Sequence, residues 1–314
     1  MRKEAAYIAI AAAIFASCQK DLCYDHTHDS RLEVRFDWSR STPDGATAMR
    51  AYLFPQAGGK PLTADFAGTK GGMMDANYGG YSAIGVSQLD GTTQIVADRY
   101  EDAYVIATET ELVSEKSFGI STKAPMPDGA EDETVRMQPS FLYADTCSHM
   151  TVSSVNRVLT MRPVALVDTI DVMVEGVENL EYVVGISAAI SGLSPAVSLR
   201  TLQPFDEVCT MPMTMTKIGE KKIGGRLLVF GHCPHEEIHR HVLTIYTILD
   251  DGKKYYFNNE VTDKMHDLEH PEERPQDNHI EIIIPNLPIP EPVEQGSFNP
   301  NLDGWTEVDV SISM

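Results

Sequence analysis

His235-Glu236-Glu237-Ile238-His239 is a literal H-E-x-x-H, followed by Arg240 and His241. On a helix this spacing sets both imidazoles on one face, where they bind Zn²⁺ while the glutamate serves as general base. The chemistry would be zinc-dependent hydrolysis. The flanks point to another setting. Pro234 directly precedes the motif, and Val242-Leu243-Thr244-Ile245-Tyr246 after it is β-branched and aromatic. Arg226 to Phe230 before it also reads as a strand. The histidines therefore fall in a strand-to-strand connection, with no helix to align them. His235, His239 and His241 are the candidate metal ligands, with His232 and Cys233 beside them. The expectation is a polar loop with no catalytic residue, no bound metal and no cofactor.

Two further clusters carry ligand-type residues. Cys23-Tyr24-Asp25-His26-Thr27-His28-Asp29 crowds sulfur, imidazole and carboxylate together, and a structural role at the entry to the first strand is expected. Asn299-Pro300-Asn301-Leu302-Asp303-Gly304 echoes the start of a calcium loop, but its twelfth position is Val310 where a bidentate glutamate belongs, so it reads as a turn. Neither a phosphate-cradling glycine loop nor a G-x-S-x-G elbow is present, and the chain reads as a non-enzyme.

One cysteine has a sharper meaning. Arg2 and Lys3 precede Ala5–Ser17, an uncharged run too short to span a bilayer and of the length of a signal-peptide core. Phe15-Ala16-Ser17-Cys18 puts small residues directly before a cysteine and resembles a bacterial lipobox. That resemblance implies cleavage after residue 17, acyl chains on Cys18, and anchoring to a lipid bilayer, which two or more chains hold stably. Gln19-Lys20-Asp21 resembles the export tag of surface lipoproteins of Bacteroidota, which favours the cell surface over the periplasmic leaflet. Cys23, Cys147, Cys209 and Cys233 are left, and four cysteines allow three pairings among which sequence does not choose.

The elements that would position these residues are strands. Leu32, Val34, Phe36 and Trp38 alternate with Arg31, Glu33, Arg35 and Asp37, and Ile170, Val172 and Val174 alternate with Asp171 and Met173. His279–Pro285 is a further strand. Val242–Leu249 and Lys254–Phe257 flank Asp250-Asp251-Gly252-Lys253, a hairpin with glycine at the position of positive φ. Ala51–Phe54, Gly80–Val86, Ala103–Thr108 and Leu180–Ile190 follow the same pattern. The end, Val308 to Met314, alternates too, and it either pairs in its own sheet or adds to an open edge of a neighbour. Asp263–Glu269 is the best helical candidate, one or two turns ended by Pro271.

The 314 residues hold 42% hydrophobic positions, enough for a real core, and their length suits two domains. A net charge of −21 argues against a nucleic-acid partner, because releasing phosphate counterions needs a basic face. Many short strands between Gly- and Pro-rich turns indicate an all-β protein of two tandem Greek-key sandwiches. The Pro- and acid-rich stretch 121–133 marks a boundary. The expected division is a signal peptide at 1–17, a tether at 18–23, a first sandwich at 24–147 and a second at 148–314.

Several landmarks together resemble a Bacteroidales lipoprotein family of unknown function related to fimbrial anchor subunits. They are Cys23-Tyr24-Asp25-His26, Arg31 to Trp38, Ile190-Ser191-Gly192-Leu193-Ser194, Gly231-His232-Cys233-Pro234, and Gly296-Ser297-Phe298-Asn299-Pro300 with Asp303-Gly304-Trp305. The resemblance implies transthyretin-like sandwiches on an outer-membrane lipid anchor. It also implies a role as fimbrial anchor or accessory subunit in pilus assembly or adhesion, with fimbrillin or other pilus subunits as partners. Two alternatives come from other classes. One is a glycan-binding surface lipoprotein, which needs exposed aromatic platforms among Trp38, Trp305, Tyr24, Tyr52, Tyr78, Tyr81 and Tyr143. The other is the zinc hydrolase of the H-E-x-x-H segment.

Overall fold

The computed structural model describes residues 30–112, 123–232, 239–266, 279–292 and 304–309. The signal peptide, Cys18 and the tether lie outside the described residues. So do the Cys23–Asp29 cluster, Cys233, Pro234, His235 and Glu236, the Asn299–Asp303 turn and residues 310–314.

In chain order the first strands are β1 (Ser30–Phe36), β2 (Ala48–Pro55), β3 (Leu62–Ala67), β4 (Gly71–Ala76), β5 (Gly79–Ser87), β6 (Thr93–Val96) and β7 (Tyr104–Ala107). Next come β8 (Thr134–Val135), β9 (Tyr143–Val152), β10 (Val158–Met161), β11 (Val164–Ala165), β12 (Asp168–Val174), β13 (Val183–Leu193) and β14 (Ala196–Ser198). The last are β15 (Cys209–Thr214), β16 (Thr216–Gly219), β17 (Lys222–Val229), β18 (Val242–Leu249), β19 (Lys254–Glu260), β20 (His279–Ile284) and β21 (Trp305–Glu307). One short helix, α1 (Thr262–Met265), follows β19. The protein is all-β, as its alternation requires.

Two pairs of sheets make two sandwiches. In the first, a three-stranded sheet β10-β1-β4 faces a five-stranded sheet β11-β9-β5-β2-β3. Period-two alternation dictates the core: Leu32, Val34 and Phe36 of β1 turn inward onto Met49, Ala51 and Leu53 of β2 and Tyr81 and Ala83 of β5. In the second, a four-stranded sheet β16-β17-β12-β20 faces a six-stranded sheet β21-β19-β18-β13-β15-β8. Ile170, Val172 and Val174 of β12 meet Ile190 of β13, Ile245 of β18 and Phe257 of β19. All of these are aliphatic or aromatic side chains, and aligned sheet packing of this kind buries such inner faces against each other.

The two sandwiches share a core. Tyr52, Phe54, Ile84 and Val86, on the far face of the five-stranded sheet, belong to the same apolar cluster as Val105, Val197 and the inner face of the second pair of sheets. The small sheet β14-β7-β6 joins residues from both halves of the sequence. β9 runs unbroken through Cys147 and Ser148, and β10 and β11 add to the first pair of sheets, whereas β8 adds to the second. The described part of the Pro- and acid-rich stretch packs closely. Ala124 is buried with Leu112, Tyr246 and Ile248 on the outer face of the six-stranded sheet, and the Tyr246 hydroxyl donates to the Pro125 carbonyl at 2.7 Å.

That strap explains β18. Its eight residues are all buried, because the strand is central and covered on both faces. The expected hairpin to β19 forms, pairing Ile248 with Lys254 and Val242 with Glu260, with Gly252 at φ 81°. At the end of the described chain, β21 pairs in parallel with β19, so Trp305–Glu307 completes the chain's own sheet. The helix starts at Thr262, one residue before the expected Asp263–Glu269, and runs to Met265; residues 267–278 lie outside the described region.

Candidate functional site

Four chain segments meet at one end of the second sandwich. The first is the end of β13, where the register with β15 shifts between Ile190 and Leu193. Gly192 sits there at φ 77°, a conformation that glycine adopts without Cβ strain. This bulge re-aims the Ser191 carbonyl. The second is the start of β18. Val242 donates its backbone N–H to the Ser191 hydroxyl at 3.0 Å, which leaves His241 just ahead of the strand. The third is the connection after β17, where His232 bridges to Leu193 of β13. The fourth is α1, pinned by buried Met265 and by Thr262, whose hydroxyl accepts the His241 N–H at 2.9 Å. His266 follows directly, its N–H bonded to the Thr262 carbonyl at 3.0 Å.

Together these segments bring His232, His241 and His266 into a triangle. Ring centroids are 5.7 Å apart for His232–His241, 5.0 Å for His232–His266 and 5.5 Å for His241–His266. One nitrogen from each ring lies within 4.8 Å of the others. His241 is fully buried, and the remaining two are half-buried. Its Nδ1 is 3.0 Å from the Ser191 carbonyl oxygen. A carbonyl only accepts, so Nδ1 carries the proton and Nε2 holds the lone pair. The Nε2 atoms of His241 and His266 are buried and make no hydrogen bond.

Burial is the largest influence on His241 and pushes its pKa down to about 4. The neighbouring His232, His266 and His239 push the same way, and the Ser191 carbonyl opposes them. At neutral pH the ring is therefore an uncharged donor. Glu133 stands nearby with its carboxylate turned inward. It accepts the Gly192 N–H at 3.1 Å and the Thr210 hydroxyl at 2.7 Å. Burial raises its pKa above the ordinary value, against those two hydrogen bonds and the field of His239. Burial, reinforced by Glu133, also pushes the Cys209 thiol up to about 12, leaving it an inert core group.

The sequence picks out this neighbourhood but not its membership. His241 joins the cluster, while His239 lines a separate cavity of about 350 Å³ with Glu133 and Arg240. His235 lies outside the described residues. His266 was not foreseen, since it lies far down the chain on a different element; the signal that could have found it is His270 four residues on, an H-x3-H spacing. His239 and His241 sit in irregular chain ahead of β18, so no helix carries them. Cys147 and Cys209 are free thiols; Cys147 donates to the His149 carbonyl.

The aromatic candidates for sugar platforms are mostly committed to packing. Tyr52, Tyr81 and Tyr143 are buried, Trp38 packs edge-on against Tyr143, and Trp305 packs edge-on against Tyr246. Tyr78 is exposed under the Arg157 guanidinium, and Tyr24 lies outside the described residues. Among the described residues no helix is long and apolar enough to cross a membrane.

A family model described as "Domain of unknown function (DUF5119)" matches residues 17–214. No curated protein matches the sequence. Among solved structures, a candidate adhesin from Bacteroides ovatus ATCC 8483 superposes with a TM-score of 0.60 at 18% identity, covering 86% of this chain and 98% of its own. A candidate polysaccharide-binding protein from Bacteroides thetaiotaomicron VPI-5482 gives 0.50 at 11% identity, over 81% of this chain and 90% of its own. The fimbrial anchor protein Mfa2 from Porphyromonas gingivalis gives 0.47 at 12% identity, over 81% and 89%.

Proposed function

This chain belongs to the family described as a domain of unknown function (DUF5119), and from that premise we propose that it is a cell-surface lipoprotein of adhesion type, a fimbrial anchor or accessory subunit. The observation that carries the reading is the shared fold with the candidate adhesin, which this chain matches over nearly the whole of that protein's length. The lipobox-like Phe15-Ala16-Ser17-Cys18 supplies the anchor in this reading. The stacked sandwiches project from it as a rigid body, because their core is continuous. The division into two sandwich units belongs to the same proposal, with the strands of residues 158–165 assigned to the first. Holding a partner needs surface and stiffness, and a shared apolar core supplies stiffness. The glycan-binding alternative draws less support, since most of its described aromatic candidates are occupied in packing.

Fractionation and capture test the proposal. Wild-type protein is expected in the outer membrane and accessible to external protease, and Cys18→Ala is expected to release it. Pull-down of the acylated protein is expected to enrich a pilus subunit over a control lipoprotein. Identical fractionation of wild type and Cys18→Ala would overturn the anchor. Absence of any enriched pilus subunit would overturn the fimbrial role.

A further inference from the structure

We propose that His232, His241 and His266 form a binding site for one divalent transition-metal ion of the zinc class, which clasps the end of the second sandwich. Three arguments carry it. The first is the shape of the triangle. With Zn–N bonds of about 2.0–2.1 Å in tetrahedral geometry, imidazole centroids around a single ion stand roughly 5 Å apart. The measured separations are 5.0, 5.5 and 5.7 Å.

The second argument is the state of the nitrogens. The Ser191 carbonyl takes the Nδ1 proton of His241 and leaves the lone pair on its buried Nε2. This is the backbone support that metal-ligating histidines use to fix tautomer and ring orientation. Buried polar nitrogens are normally hydrogen-bonded, yet Nε2 of His241 and of His266 are not. A metal ion satisfies both at once. The surroundings are shaped for close approach as well: a Cβ on Gly192 would lie 2.7 Å from the His241 Nδ1.

The third is the choice of ion. An all-imidazole set suits Zn²⁺, Cu²⁺ or Ni²⁺ and is a poor match for Ca²⁺ or Mg²⁺, which take oxygen. Three protein ligands leave the fourth tetrahedral position to water. The three segments concerned are the connection after β17, the lead into β18 and the end of α1. An ion bound to all three ties them together in the folded state alone, so binding stabilises the fold by mass action.

The test uses the full chain, purified in detergent without a polyhistidine tag and stripped with EDTA. Zn²⁺ alone is titrated by calorimetry, and Co²⁺ is followed by its visible absorption. The expected result is one ion per chain, a rise in thermal midpoint that EDTA reverses, and Co²⁺ bands of tetrahedral nitrogen coordination. His266→Asn and His232→Asn are each expected to weaken Zn²⁺ binding roughly 100-fold or more. His239→Asn and His279→Asn are expected to leave it unchanged. Should either ligand variant fail to fold, Zn²⁺-dependent shifts of the His232, His241 and His266 imidazole resonances in the wild-type protein decide the matter. Absence of stoichiometric binding, full affinity in His266→Asn, or loss of affinity in His239→Asn alone would each overturn the site.

Discussion

The His241 Nδ1 donates to the carbonyl of Ser191 across 3.0 Å, and the glycine after that serine is what lets the ring come so close. A Cβ at Gly192 would stand 2.7 Å from Nδ1 and 2.8 Å from the Arg240 carbonyl, on a backbone at φ 77°. Gly192→Ala therefore combines left-handed strain with two overlaps, one of them with backbone that cannot yield. The expected loss is about 2–3 kcal/mol in urea denaturation. A midpoint within error of wild type would show that the bulge is more compliant than its geometry implies.

Gly85 tests the first sandwich in the same way without any backbone strain. A Cβ there would lie 2.5 Å from Cε1 of Phe36 and 2.7 Å from Sδ of Met161, side chains of β1 and β10 on the facing sheet. Gly85→Ala overpacks the space between the sheets and is expected to destabilise by about 1–3 kcal/mol. Met161→Ala in the same background should restore part of the loss, since one of the clashing groups is removed. A double-mutant cycle of chemical denaturation checks the coupling.

Phe257 lies wholly inside the second core. Phe257→Ala is expected to cost about 3–5 kcal/mol, the sum of lost transfer free energy and the cavity left between rigid sheets. Val184, 68% exposed on β13, is the control, and Val184→Ala should change stability by no more than about 0.5 kcal/mol. Comparable effects at the two positions would contradict the placement of the core.

Glu133 gives a pH dependence with a definite sign. Its folded pKa is raised above the ordinary 4.5, so the folded state holds the proton more tightly than the unfolded chain. Its contribution to stability is complete below pH 4.5 and is lost as pH rises through the folded value. Glu133→Gln removes that titration. The stability of the variant relative to wild type should therefore rise as pH climbs from about 4.5 through the raised folded value. A difference independent of pH, measured by urea denaturation at several pH values, would remove the basis for the raised pKa.

Much of the fold was legible in the chain itself. Alternation at Leu32-Val34-Phe36 and Ile170-Val172-Val174 told which side chains face inward, because successive residues of a strand point to opposite faces. The Asp250–Lys253 turn told where a hairpin closes, because glycine accepts positive φ there. Short strands such as β10, β11 and β14 escaped notice, since two to four residues carry too little pattern to separate from a loop. The stretch 123–133 looked like a linker from its prolines and acids, whereas its small apolar residues, Ala124 and Ala130, are buried.

The local spacing of H-E-x-x-H points to the 230s, and the neighbouring strand sequence argues against a helix there; of that motif only His239 is among the described residues, in irregular chain. Which histidines meet was a different kind of question. His232 leaves β17, His241 enters β18 and His266 closes α1, so their convergence depends on how β13, β17 and β18 are ordered and on where a bulge turns one carbonyl. Residue types and periodicity are properties of a few neighbouring positions, and the sequence determined them alone. The three-imidazole triangle is a property of long-range pairing, which is decided only when the whole apolar core is buried at once.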